Sequence, residues 1–299
     1  MSSRRAFLLS FAAAPLVRAA QVRLRLGGPI FLKSDDPDEL AKEHARLGYR
    51  AAYCPAAETK DAEKIRAIER AFAEADVVLA EVGAWVNMMD RDLAKRRQNL
   101  DYVTDRMALA DAVGARTCVN ISGSMNPTQW DGPDIRNYSK EFFDATVENT
   151  RKVIDAVKPK RSRFSIEMMP WTVPDSPDGY LKLLRAVDRP AFGVHVDVCN
   201  IMNSPEKFFR NGEIIDEVFR KLGKWVTSCH AKDLWGYRVH LAETIPGRGG
   251  IDYGSYLRSL ARYSPDAPLM LEHLSKPEEY EEGKRYIQQI AAKTGVSLS

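Results

Sequence analysis

From residue 22 onward, short apolar runs alternate with longer stretches whose apolar positions recur at helical spacing. Residues 22–28 read as a first strand. Pro37 then opens a helix that Gly48 closes, with Leu40 and Leu47 on one apolar stripe. The alternation continues, with strands predicted at 49–54, 77–83, 116–121, 163–168, 192–198, 225–231 and 268–271. Between and after them the pattern predicts helices at 61–74, 91–113, 139–157, 177–187, 206–222, 255–263 and 277–292. Gly114 closes the third helix and Pro159 stops the fourth. Only 122–137 and 232–254 read as long loops. Eight strands that alternate strictly with eight helices imply a parallel sheet. Eight such units within residues 21–299 fit one α/β domain, a (β/α)8 TIM barrel, with functional groups at the C-terminal ends of its strands. No Gly-x-Gly-x-x-Gly follows the first strand, which disfavours an open dinucleotide-binding sheet.

Polar residues interrupt four of the apolar strands, and they do so near the strand ends. In 192–200 (Phe-Gly-Val-His-Val-Asp-Val-Cys-Asn), alternation puts His195, Asp197 and Cys199 on one face and Val194, Val196 and Val198 on the other. Glu167, His230 and Glu272 occupy matching places in the fifth, seventh and eighth strands. Any one of these could cap a helix or bond a loop amide. Neighbouring barrel strands bring all four ends together, however, so Glu167, Asp197, His230 and Glu272 can enclose one divalent ion. Three carboxylates and an imidazole with no thiolate form a hard donor set that suits Mn2+, Mg2+ or Co2+ better than a structural zinc. Mn2+ is the expected ion, with Mg2+, Co2+ and Zn2+ as alternatives.

Other polar and aromatic residues lie where a substrate could reach them. Lys232 shares the parity of His230, so it could hold a substrate oxygen or sit in a solvated loop. Arg248, in the glycine-rich loop after the seventh strand, could bind a hydroxyl or carboxylate or simply face water. His195 lies two residues deeper than Asp197 and reads equally as substrate contact, support behind the site, or core histidine. Glu81, Trp85 and Asn87 follow the third strand on one parity. The Trp85 indole there suits stacking on a sugar face, although core packing explains it nearly as well. His273 has the opposite parity to Glu272 and is expected to face the helices.

The sequences 166–170 (Ile-Glu-Met-Met-Pro), 193–197 (Gly-Val-His-Val-Asp), 230–233 (His-Ala-Lys-Asp), 246–252 (Pro-Gly-Arg-Gly-Gly-Ile-Asp) and Leu271-Glu272 carry a resemblance. In order and spacing the chain resembles the xylose-isomerase-like barrel superfamily of sugar isomerases and epimerases. That resemblance implies that Glu167, Asp197, His230 and Glu272 hold a divalent metal and that Glu167 and Glu272 also move protons. It implies a metal-dependent isomerase or epimerase acting next to the carbonyl of a sugar or keto-sugar derivative. A lyase that expels a leaving group at the same site is the alternative, and a non-catalytic sugar-binding barrel is a third reading. Many ketose epimerases of the superfamily carry histidine three residues after the metal-binding aspartate, whereas Asn200 stands here. This departure weighs against a simple free ketose. Only five histidines in the chain weigh against the apurinic endonuclease branch, which binds three zinc ions.

The first twenty residues have a different character. Arg4 and Arg5 precede an apolar segment through Val17 and small residues at Ala19 and Ala20, the parts of a twin-arginine export signal. Residues 1–20 are therefore expected to be a signal and residues 21–299 a periplasmic or otherwise exported barrel. Removing Arg4, Arg5 and Arg18 lowers the 44 basic residues to 41, equal to the 41 acidic ones. A neutral surface gives no reason to expect nucleic acid as a partner. No run is apolar enough for an ordinary membrane span in the mature chain. A small sugar-like molecule is the expected partner, and a homo-oligomer stays open. Cys54, Cys118, Cys199 and Cys229 lie far apart in apolar runs, so no disulfide framework is expected.

Overall fold

Eight parallel strands close into one barrel in the computed structural model, which describes residues 22–237 and 240–299. The strands are β1 (Leu26–Gly27), β2 (Ala51–Tyr53), β3 (Val78–Gly83), β4 (Thr117–Asn120), β5 (Arg163–Glu167), β6 (Phe192–Asp197), β7 (Val226–Ala231) and β8 (Leu269–Leu271). They pair in chain order, and the Leu269↔Leu26 register joins β8 to β1. The principal helices are α1 (Pro37–Arg46), α2 (Ala62–Glu74), α3 (Leu93–Val113), α4 (Lys140–Val157), α5 (Pro177–Val187), α6 (Asn211–Leu222), α7 (Tyr253–Tyr263) and α8 (Pro277–Thr294). The predicted (β/α)8 barrel is therefore the fold. The export signal expected in residues 1–20 lies outside the described residues.

Local chemistry accounts for the boundaries. Asp36, Asp61, Asp92, Ser139 and Ser176 each accept a backbone N–H at the start of α1 to α5, relieving donors that the helix itself leaves unpaired. Gly114 and Gly295 close α3 and α8 at φ 70° and 72°, where a Cβ would be strained. Covered by side chains inside and helices outside, the strands are buried on both faces, and every residue of β6 is buried.

Three departures from the predicted pattern matter. The first strand breaks, so that Arg23–Leu24 pairs with Ser297–Leu298 while Leu26–Gly27 enters the barrel. The sixth helix divides into Pro205–Phe209 and Asn211–Leu222. Buried Asn211 explains the break, since its amide donates to Phe208 O and Gly250 O and its oxygen accepts Asp252 N–H. The loop expected over 232–254 contains a hairpin, Asp233–Tyr237 paired with His240–Thr244. A short helix, Val198–Ile201, follows β6, and Asp197 caps it. The four cysteines are free, and no helix among the described residues is long and apolar enough to cross a membrane.

Candidate metal centre

Glu167 ends β5, Asp197 ends β6, His230 lies one residue before the end of β7, and Glu272 directly follows β8. All four are buried, and each places a donor atom within 4.8 Å of the others. His230 Nδ1 lies 3.0 Å from Glu272 Oε2, 3.2 Å from Glu167 Oε1 and 3.9 Å from Asp197 Oδ2. The four side chains named from the sequence thus converge on one point above the barrel core.

A second group stands beneath them. Glu81, from β3, has Oε2 3.3 Å from His230 Nε2 and Oε1 3.0 Å from His195 Nε2, and it accepts the Ser228 hydroxyl. The carboxylate thereby engages Nε2 of His230, and Nδ1 faces the three acids. Burial favours neutral Glu81, but His230 and His195 outweigh it and hold the group far below the usual carboxylate range. An imidazole backed by a carboxylate is how proteins commonly orient a metal-binding histidine. Glu81 and His195 are fully buried, behind His230 rather than on the open side of the cluster.

Charge tests whether these residues suit a metal. Lys232 is buried, and its ammonium contacts Asp197 and Glu272. Burial opposes that charge, yet Asp197 and Glu272 more than offset it. Three carboxylates, one ammonium and one imidazole meet in a buried site, where burial is outweighed by Glu272 and Glu81, which raise the His230 imidazole well above the usual histidine range. Burial pushes the Asp197 carboxyl up to about 7, with Glu167 and Glu272 adding to the rise and Lys232 opposing it. The cluster's oxygen-rich donors, each within 4.8 Å of the others, suit a divalent ion. Lys232 therefore lies among the acids, held by their carboxylates.

A cavity of about 530 Å³ opens over the cluster, bordered by Glu167, His230 and Glu272 below and Trp85, Trp130 and Tyr53 at the sides. Trp85 is 42% exposed, so its indole faces the cavity rather than the core. Arg248 points elsewhere: its guanidinium grips Glu282 at 2.6 and 2.7 Å on the exposed surface. Asn87 turns inward, where its side chain bonds Met89 N, Ser124 N and Ser124 O. The expectation for His273 is corrected. β8 ends at Leu271, His273 adopts φ 57°, and strand alternation no longer applies; its ring borders the cavity 2.9 Å from Glu243 Oε2. Glu243, unassigned from the sequence, reaches the cavity from the hairpin, with Oε1 3.6 Å from Lys232 Nζ. Asn200 Nδ2 donates to Glu167 Oε1 at 3.2 Å, which gives this unusual position a role beside the acid.

The family profile described as "Xylose isomerase-like TIM barrel" matches residues 41–290. The chain belongs to the xylose isomerase-like TIM barrel family. Among solved members of this fold, 3-keto-D-glucoside 4-epimerase, YcjR, from E. coli superposes with a TM-score of 0.66 at 12% identity, covering 89% of this chain and 100% of that one. D-psicose 3-epimerase from Clostridium cellulolyticum gives 0.63 at 14% identity, covering 87% and 94%. Endonuclease IV from Thermus thermophilus gives 0.68 at 17%, covering 90% and 99%. At these identities the likeness establishes the fold alone. Comparison with curated protein sequences returns no match.

The carboxylate behind His230 yields a first prediction for this xylose isomerase-like barrel. Glu81→Gln keeps the side-chain volume but weakens the hold on Nε2. Mn2+ affinity is expected to fall about 10- to 100-fold in calorimetric titration. An unchanged affinity would show that Glu81 does not orient the ring.

Proposed function

We propose that the protein is a divalent-metal-dependent isomerase or epimerase that moves a proton on the carbon next to the carbonyl of a sugar or keto-sugar derivative. The observation that carries this reading is the convergence of two glutamates, Glu167 and Glu272, with Asp197 and His230 beneath one sugar-sized cavity. A divalent ion held by Glu167, Asp197, His230 and Glu272 would polarise the substrate carbonyl and offset the charge that develops on its oxygen.

The chain's own residues supply the proton transfers. Glu167 and Glu272 come from strands three steps apart, so one takes the proton from the carbon while the other returns one to the opposite face. Asn200 steadies Glu167, and Lys232 steadies Glu272. Trp85 offers a flat apolar face on which a sugar ring stacks. The two epimerases that share this fold, with 3-keto-D-glucoside and D-psicose in their names, support a sugar substrate. The single compact cluster beside the cavity supports a mononuclear site, since the other group of donors among the described residues, Glu81, His195 and His230, shares His230 with it and lies buried behind it. On the same reading, residues 1–20 direct the barrel out of the cytoplasm, and because phosphorylated sugars are scarce outside it, the substrate is unphosphorylated.

Deuterium exchange tests the proposal. The Mn2+-loaded protein is incubated in D2O with ketoses and keto-glycosides, and NMR follows the carbons beside the carbonyl. Metal-dependent deuterium uptake with appearance of an isomer is expected. Uptake accompanied by an unsaturated product or a released aglycone would assign elimination instead. Tight binding with no exchange would leave a sugar-binding barrel.

A further inference from the structure

A second cavity, of about 650 Å³, adjoins the metal pocket, and Asn200 and Glu243 border both. The two lie side by side among the loops that follow the strands, each within the size range of a small-molecule site. Their linings differ. The metal pocket gathers ionisable groups, whereas the second groove is walled by Trp171 after β5, Met202, Phe208 and Phe209 after β6, and Leu234 and Leu241 on the hairpin.

Several polar side chains at the edge of this groove are already engaged, while His240 also borders it. Ser204 Oγ accepts the Lys207 N–H as a helix cap, and Asn203 Oδ1 accepts from Lys207 Nζ at 2.9 Å. Asn200 Nδ2 donates to Glu167, and Glu243 holds His273. What the groove offers a ligand is therefore mainly apolar surface. Trp171 is 53% exposed and Phe209 82% exposed, a large aromatic area to leave in water beside a polar pocket. Because Asn200 and Glu243 border both spaces, a ligand seated in the metal pocket has the groove directly beside it.

We infer that the substrate is a glycoside: its carbonyl-bearing sugar lies in the metal pocket, and an aromatic aglycone lies in the groove against Trp171 and Phe209. This inference rests on the proposed function for the sugar half, while the groove is argued independently. A free monosaccharide would leave the aromatic wall uncovered.

The test compares matched methyl and phenyl glycosides of each keto-sugar in the panel, binding to the Mn2+-loaded full chain by calorimetry. The phenyl member is expected to bind at least ~10-fold tighter, as burial of an aromatic ring against two others allows. In Trp171→Ala and Phe209→Ala the phenyl-to-methyl affinity ratio is expected to fall toward one. Both residues are half or more exposed, so these variants should fold, and circular dichroism checks that they do. Equal affinities for methyl and phenyl members, a ratio unmoved by both variants, or no binding of any pair at millimolar concentration would overturn the inference. A phenyl preference that persists while deuterium exchange fails would overturn the proton-transfer reading and leave the groove assignment standing.

Discussion

Glu167→Gln is expected to stop interconversion of the two epimers, lowering turnover about 10³-fold, while exchange with solvent survives for one of them. A two-sided mechanism needs a base on each face of the reacting carbon. With Glu167 neutralised, Glu272 can still remove and return the proton on its own side, so one epimer incorporates deuterium without inverting. Glu272→Gln should give the mirror result with the other epimer. Glutamine preserves the volume of each side chain, and the Asn200 amide can still donate to residue 167. Metal content is measured alongside, because both residues belong to the proposed donor set. Near-wild-type epimerisation by either variant, or exchange of both epimers by one of them, would remove that glutamate from the proton path.

The largest expected loss of stability lies outside the donor set, at Asp233. This residue is fully buried where the first hairpin strand begins, and its carboxylate accepts four backbone N–H groups. Oδ1 takes Leu234 at 2.8 Å and Ile251 at 2.9 Å, and Oδ2 takes Gly247 at 2.8 Å and Gly249 at 3.2 Å. The glycines in 246–252 have a physical reason here. Gly247 sits at φ 95°, and a Cβ on Gly249 would come within 2.1 Å of Leu234 O. Asp233→Ala strands four donors that the loop can satisfy only by admitting water. The expected cost is roughly 3–4 kcal/mol in urea unfolding, allowing for partial relaxation. Asp233→Asn retains one acceptor oxygen and should lose less. A change below about 1 kcal/mol for the alanine variant would mean that the loop is held by other contacts.

The barrel was legible because its signal is repeated. Each apolar run is followed by a helix, most of them capped or bounded by proline or glycine, and an error at one boundary does not disturb the count of eight. The buried cluster was legible for another reason: Glu167, Asp197, His230 and Glu272 interrupt runs that packing alone would keep apolar. Residues governed by backbone departures were not legible. Strand parity misplaced His273 because the chain leaves the strand at Leu271 and turns through a left-handed residue. Glu243 reaches the cavity only through a hairpin, Asp233–Tyr237 with His240–Thr244, that the apolar pattern does not distinguish from a loop. Parity gave Glu81 the correct inward direction but not its depth, so its partnership with His230 and His195 emerged only from the register of the strands. Arg248 shows the limit of a motif, since its neighbours wrap around Asp233 while its own side chain pairs with Glu282.

The pairing of Arg23–Leu24 with Ser297–Leu298 has a practical bearing on how the protein can be handled. Both ends of the described barrel meet beside the start of β1, on the face opposite the strand ends that carry Glu167, Asp197, His230 and Glu272. A solid support or a fused partner attached next to Val22 or at Ser299 would therefore hold the barrel by its base and present the metal pocket to solution. Because the two ends lie side by side, a short linker could also join them, and the chain could be reopened in a surface loop without changing the order of the eight strands around the barrel.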